Sequence, residues 1–221
     1  MTRVVSHLRA PAAWRAQAGE RGTIAPLVVM SALLLMAVLA WAIDQGIACA
    51  VKVRQENALD AARDACMAPS FALVAKNDDD PGRAVACRFM QVLREEGVEG
   101  SVSVWFYEAP REDLPPSRRV WGIGVQVQGA SPTIFARGFG IASLPVASKR
   151  VVVAEPFADE ATWRPAIDSG NGCYEGDIAA EGEAPAFFGL AELGEFPDEV
   201  EDAVRAAVSA AEGGQKRREK A

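Results

Sequence analysis

The stretch that decides the fold runs from Ile24 to Ile43 and reads IAPLVVMSALLLMAVLAWAI. Its 20 residues carry no charge, and a helix of that length spans about 30 Å, the thickness of the hydrocarbon core of a bilayer. Thr23 can cap the first turn, and Trp41 lies near the far end, where an indole ring favours the membrane interface. The sequence therefore predicts a transmembrane helix over residues 23–43.

Two other interpretations of this apolar stretch stay open. A cleaved signal peptide usually has an apolar segment of about 7–15 residues, followed by a small-residue cleavage site. A buried core helix rarely contains so long a run of uncharged residues. Because the stretch is longer than a signal sequence and leads into further helical pattern, we expect a retained membrane anchor.

Charged residues are distributed unevenly around this span. Residues 1–22 contain four arginines and one glutamate, and basic residues before a span hold that end in the cytoplasm. We therefore expect a single-pass protein of the bacterial inner (cell) membrane, with a basic cytoplasmic segment at 1–22 and the bulk of the chain periplasmic or extracellular. Residues 213–221 form a basic tail. Residues 155–202 hold fourteen acids and one base, and the role of this acidic region stays open.

Helical patterning continues beyond the span. Apolar and alanine residues recur at helical spacing, which predicts one helix from about Thr23 to about Met67, with Pro69 as its stop. A helix that leaves the membrane for about 25 residues is marginal alone and needs a partner or a sheet to lie against. A second helix is predicted over Arg83–Glu96.

The hydrophobic period then changes from helical to alternating. Alternation predicts strands over 101–106, 120–128 and 141–155, and an amphipathic helix follows over 198–211, ended by two glycines. Because helices and strands are segregated along the chain, we expect an α+β fold with an antiparallel sheet of three or more strands, pilin-like in its arrangement. The extracytoplasmic domain is predicted to cover residues 44–212.

Composition excludes several classes of function. The only histidine is His7, so the predicted extracytoplasmic domain has no histidine base and no histidine-ligated metal site. A net charge of −7 argues against a nucleic-acid binder. Asp78–Asp80 and the acids of residues 168–177 could offer oxygen ligands to Ca²⁺, but neither has the spacing of a calcium loop. We therefore expect a non-enzyme without metal or cofactor.

Two segments carry a family resemblance. The first begins with RGTIAP at Arg21, passes through the span to Asp44 and continues as QENALDAA over residues 55–62. The second is PTIFARGFGI over residues 132–141, followed by Leu144-Pro145-Val146. With both segments in this order, over roughly half its length, the chain resembles the TadE/TadG-like family of the tight-adherence (Flp) pilus assembly system.

The resemblance implies a non-catalytic component of a Tad-type pilus assembly or secretion apparatus that acts by helix packing and protein–protein contacts. Its partners would be the membrane and other assembly proteins, in homo- or hetero-oligomers. The residues expected to contact partners are Asp44, Gln55, Asn57, Asp60 and Phe135. For Asp44 the alternative is a water-exposed charge that ends the span. For the whole chain the alternative is a membrane-tethered ligand-binding module or sensor that uses the acidic region.

Members that a prepilin peptidase processes carry a glutamate at the fifth position after the cleaved glycine. Counted from Gly22 that position is Leu27, and counted from Gly19 it is Ile24. We therefore expect an unprocessed, TadG-like N-terminus. Larger TadG proteins can carry a metal site with a D-x-S-x-S string, which this sequence lacks.

Four cysteines follow the span, at Cys49, Cys66, Cys87 and Cys173, where an oxidising compartment favours disulfides. In a continuous helix Cys49 and Cys66 would be about 25 Å apart, too far to be bridged. If the first two helices fold back on each other, Cys66 and Cys87 can meet, and we predict this pairing. Cys66–Cys173 is the second choice, Cys49 is unpaired or bridges to another chain, and four free thiols remain the alternative.

Overall fold

The computed structural model describes residues 24–114, 118–155, 170–180, 182–190 and 192–218. The predicted cytoplasmic segment 1–22, residues 156–169 of the acidic region and the last three residues of the tail lie outside the described residues. The predicted transmembrane helix is described from Ile24 onward.

Helix α1 covers Ile24–Met67 without a break, as the helical pattern predicts. Its apolar half (residues 24–43) is exposed except for the half-buried Ala40, and it is the one described helix long and apolar enough to cross a membrane. Its packed half (residues 44–67) buries one stripe against the rest of the chain. The buried residues of that stripe are Asp44, Gln55, Ala58, Leu59, Ala62 and Cys66.

Two further helices lie between α1 and the first strand. Pro69 does more than end α1, because it opens the short helix α2, Pro69–Ala75, which the sequence did not predict. Proline fits a first helical position, since its missing N–H would have no intrahelical partner there. Helix α3 covers Pro81–Glu95, and the Asp80 side chain caps it by accepting the Arg83 N–H at 2.9 Å.

Five antiparallel strands form one sheet in the order β3-β2-β1-β4-β5. The fold is therefore α+β, with the antiparallel sheet of three or more strands that the sequence predicts. Three strands match the alternating segments, and the other two lie inside the acidic region, where no strand was predicted. The strands are β1 (Ser101–Glu108), β2 (Trp121–Pro132), β3 (Ser143–Ala154), β4 (Gly172–Asp177) and β5 (Ala186–Gly189).

Helices cover both faces of this sheet. The packed half of α1 and helix α3 share one core with the inward side chains of β1 and β2. Helix α4, Asp198–Arg218, packs on the other face, mainly on β2 and β3. Helix α4 can approach β2 closely because Gly122 of β2 has no side chain. A Cβ atom on Gly122 would lie 2.2 Å from Cγ2 of Val204. Helix α4 also continues beyond its predicted end, through the two glycines at 213 and 214.

Candidate functional site

Asp44 is the first charged residue after the apolar half of α1, and it is only 2% exposed. Its Oδ1 accepts the backbone N–H groups of Ile134 at 2.8 Å and Phe135 at 3.2 Å, and its Oδ2 accepts that of Ala136 at 2.7 Å. Burial raises the pKa of this carboxyl, but the three N–H donors outweigh burial and hold the pKa below its usual value. The expectation of a water-exposed Asp44 is therefore wrong, because the ionised carboxylate is enclosed by a loop that it binds.

That loop connects β2 to β3 and is called here the hairpin loop, residues 133–142. It contains a 3₁₀ turn at Ala136–Phe139, and Gly140 closes it with a φ of +85°. Four large apolar side chains of the loop are exposed, and Phe139 is the most exposed at 86%. The loop also contains Arg137 and no acidic residue. The four apolar residues are Ile134, Phe135, Phe139 and Ile141.

The hairpin is held along α1 at two further positions. Ser148 Oγ donates to Oε1 of Gln55 at 3.1 Å, and both side chains are buried. Arg150 Nη2 donates to Oδ2 of Asp60 at 2.7 Å, in a pair whose side chains are each about 40% exposed. Together with Asp44, these contacts align β3 with the packed half of α1.

The five residues predicted to contact partners therefore fall into two groups. Asp44, Gln55 and Asp60 bind the hairpin of their own chain, so each has an intramolecular role that the sequence could not reveal. The side chains of Asn57 and Phe135 are exposed and remain accessible to another molecule. Contact of any of the five with another protein stays a prediction.

A buried charged pair at the opposite end of the sheet was missed by sequence analysis. Arg119 Nε donates to Oε1 of Glu108, and Arg119 Nη1 donates to the carbonyl oxygen of Lys76 at 2.9 Å. Both side chains of the pair are almost fully buried, and the guanidinium lies 5.5 Å from the centre of the Trp121 ring. The pair joins the end of α2 to β1. Glu108 and Arg119 flank a polar, proline-rich segment in which charges are usually solvated, so no local signal predicts the pair.

All four cysteines are free thiols in this structure, so the predicted Cys66–Cys87 bond is not formed in it. Cys66 faces the core and Cys87 lies at the surface of α3, so the two side chains occupy different environments. Burial raises the pKa of Cys66 to about 12 and of Cys173 to about 11, which keeps both thiols protonated and unreactive at neutral pH. Peptide mapping without reductant would show whether the natural compartment joins any pair.

The acidic residues considered for calcium have structural partners. Asp78 Oδ1 accepts the N–H of Asp80, and the capping Oδ1 of Asp80 also lies 2.8 Å from the Tyr174 hydroxyl. Burial, aided by this hydrogen bond, raises the pKa of Tyr174, so its hydroxyl stays protonated. In the second region Asn171 bonds the backbone of Glu108, and Asp168 lies outside the described residues. Across the described ranges, no group of three or more His, Cys, Asp or Glu could hold a metal ion.

The contacts of Asp44 with the hairpin loop are thus the best-defined candidate site, at the point where an apolar helix enters a folded domain. Comparison of the whole chain with family models, curated proteins and solved structures found no match. The TadE/TadG-like resemblance stays a prediction, and the function has to be argued from the residues of this chain.

Proposed function

We propose that this chain is a non-catalytic, single-pass membrane component of a Tad-type pilus assembly or secretion apparatus. The observation that carries the proposal is the continuity of α1. Its apolar half is exposed and uncharged, whereas its packed half is built into an α+β domain through Leu59 and its neighbours. A helix with both properties can fix a folded domain directly above a membrane without a flexible linker.

Continuity also favours a retained anchor over a cleaved signal sequence. A signal sequence is removed without loss to the mature fold, but the backbone of α1 continues from the apolar half into the core with no loop in between. The buried Asp44 lies directly after the apolar half and anchors the hairpin loop there. Cleavage at the end of the apolar half would cut a hydrogen-bonded helix and leave a charged N-terminus next to the bonded Asp44, which is a poor place for a processing site.

The orientation in the proposal follows from charge. Four arginines precede the span, so the N-terminus is cytoplasmic and the α+β domain is periplasmic or extracellular. The arrangement is pilin-like in a defined sense: one helix crosses the membrane with its first half and packs on an antiparallel sheet with its second. A reporter that is active only in an oxidising compartment, fused after Gly214, should be active, and one fused at Ala18 should be inactive.

Partners would be engaged through two kinds of surface. Inside the membrane, the small residues Ala32, Ala37 and Ala40 allow other helices to approach closely. Outside it, the exposed Asn57 on α1 offers a polar contact beside the sheet. Both are packing surfaces, so the proposed mechanism is assembly and not chemistry.

Affinity purification of the intact chain from the membranes of its host tests the proposal. We expect other pilus or secretion assembly proteins to be recovered with it. A matched variant with the exposed Ala32 and Ala37 changed to leucine keeps the apolar length but fills two close-approach positions, so recovery of membrane partners should fall while the amount in the membrane is unchanged. Recovery of a small ligand bound to the domain, with no assembly protein, would favour the sensor alternative instead.

A further inference from the structure

The hairpin loop lies at the end of the domain that is nearest to the apolar half of α1. Between Asp44 and Gln55 the helix advances about 16 Å at 1.5 Å per residue. Between Ser143 and Ser148 strand β3 advances about 17 Å at 3.4 Å per residue. Since Ser148 bonds Gln55 and the loop bonds Asp44, helix and strand run side by side in step. The tip of the hairpin is therefore level with Asp44.

Asp44 also sets the depth of the loop relative to a bilayer. If residues 24–43 fill the hydrocarbon core, Asp44 lies at its outer boundary, and a polar headgroup layer of about 5–7 Å follows. The N–H groups of residues 134–136 are within 3.2 Å of the Asp44 carboxylate, so the loop backbone starts at this boundary. Side chains of the loop can then reach the headgroup layer without any rearrangement of the domain.

The composition of the loop suits that layer and contrasts with the rest of the domain. Its four large apolar side chains are exposed, two of them aromatic, and its single charge is Arg137. Phenylalanine and aliphatic side chains on a segment at the membrane surface can bury themselves at the boundary between headgroups and acyl chains, and an arginine there can reach phosphate groups while its stem stays apolar. Trp41 is exposed three residues before Asp44, about 4.5 Å deeper along α1. By contrast, residues 155–202 carry fourteen acids and one base.

We propose that the hairpin loop is a second membrane contact, which inserts Phe139 and its apolar neighbours into the outer headgroup layer of the bilayer. This inference rests on the proposed membrane span. Lipid is the occupant that the geometry favours, because Asp44, the residue that directly follows the span, holds the exposed apolar side chains of the loop at the membrane boundary. Two contacts on one membrane fix the tilt and rotation of the domain, which a single helix would leave free. The loop thereby orients the surfaces of the domain that face other assembly proteins.

Fluorescence from single labelled positions in the full chain tests this contact. Cys49 and Cys87, the two exposed thiols, are changed to serine, and a polarity-sensitive fluorophore is attached at Phe139→Cys in vesicles of phosphatidylcholine and phosphatidylglycerol. Asn57→Cys is the matched control outside the membrane, since Asn57 is exposed and lies about 20 Å beyond Asp44 along α1. Leu35→Cys is the control inside the span.

We expect emission at position 139 to shift to shorter wavelength and to be quenched by lipids that carry a nitroxide near the headgroup. Position 57 should be quenched only by a water-soluble agent, and position 35 most strongly by nitroxides deep in the acyl chains. If position 139 behaves like position 57 while position 35 is quenched by lipid, the span stands and the loop contact is overturned. If position 35 is not quenched by lipid, both the span and the loop contact fail. Shielding of position 139 in native membranes but not in vesicles would overturn the lipid contact and point to a protein partner.

Discussion

The two halves of α1 have the same secondary structure and opposite surroundings. Residues 24–43 expose nearly every side chain and carry no charge, whereas residues 44–67 carry charges on one side and bury Leu59 completely on the other. A helix of the second kind is stabilised by the sheet on which it packs, because an isolated helix gains little from its own hydrogen bonds in water. A helix of the first kind has no such packing against the described residues of this chain, and an apolar surrounding would remove its surface from water.

If the apolar half spans a membrane as proposed, one helix is divided between two solvents at a single residue. Asp44 is buried by protein and not by lipid, since three backbone N–H groups of the hairpin loop satisfy its charge. A buried carboxylate without such donors would be costly. The boundary between the halves is therefore a built contact with the folded domain, and each half should respond differently to substitution.

The largest difference should come from truncating one leucine in each half. Leu59→Ala removes a fully buried side chain from the core beneath the sheet, and we expect the free energy of unfolding to fall by about 2–5 kcal/mol. The matched change Leu35→Ala, at an exposed position, should leave it unchanged within about 0.5 kcal/mol. Urea unfolding of the intact chain in detergent micelles measures both. Equal losses at the two positions would contradict the division of α1.

Removing the charge at the boundary should release the hairpin loop without unfolding the domain. Asp44→Asn keeps the shape but turns an NH₂ group toward backbone donors, so amide exchange at residues 134–136 should become roughly tenfold faster. Glu112→Gln, an exposed carboxylate elsewhere, is the control and should change nothing at the loop. Exchange in the variant at the wild-type rate would show that the loop is held by other contacts.

The same contact should weaken in acid. Because the pKa of Asp44 is lower in the folded chain than its usual 3.8, its contribution is fully present above about pH 4 and is lost as the pH falls through the lower folded value. Protection of the loop amides should therefore persist from neutral pH to about pH 4 and decline below it. The Asp44→Asn variant should lack this decline. If protection were lost near pH 6 instead, a titrating group other than Asp44 would control the loop.

The smallest effect is expected at the outer edge of the packed half. Asp60→Asn breaks the ion pair with Arg150. The side chain of Asp60 is 42% exposed and that of Arg150 is 38% exposed, so solvent screens most of the interaction. We expect a loss below about 1 kcal/mol, and less at high salt. Urea unfolding at two salt concentrations measures it. A loss as large as that of Leu59→Ala would mean that the helix is held by charge and not by apolar packing.

Much of this architecture could be predicted because its patterns are local. The uncharged stretch, the helical spacing after it and three alternating segments each predict their own element. Strand β4 could not be predicted because GCYEGD contains two glycines and two acids, which disfavour strands, and β5, AFFG, is only four residues long. They exist because β1 offers an edge: Phe187 packs on the face of Tyr174 with ring centres 4.9 Å apart, and Gly172 leaves the space that its ring needs.

The candidate site was harder to predict than the fold, for the same reason. The sequence singles out Asp44 and Phe135, but they are 91 residues apart, and no spacing rule predicts that the N–H of one binds the carboxylate of the other. From the sequence, an aspartate directly after an apolar stretch is expected to be exposed to water. Its burial depends on a hairpin tip that reaches α1 only when β3 aligns with the packed half. Long-range contacts of this kind are visible only in the folded chain.

Single cysteines along α1 test most directly whether the helix passes from lipid to water at Asp44. They are introduced in the background that lacks Cys49 and Cys87. Intact cells are treated with a thiol reagent that does not cross membranes. We expect rapid labelling at Val53→Cys, an exposed position of the packed half that is not assigned to partner contact, and none at Leu27→Cys, Leu35→Cys or Leu39→Cys until detergent is added. Labelling of the three leucine positions as fast as position 53 would show that residues 24–43 are in water, and would contradict the division of the helix between membrane and domain.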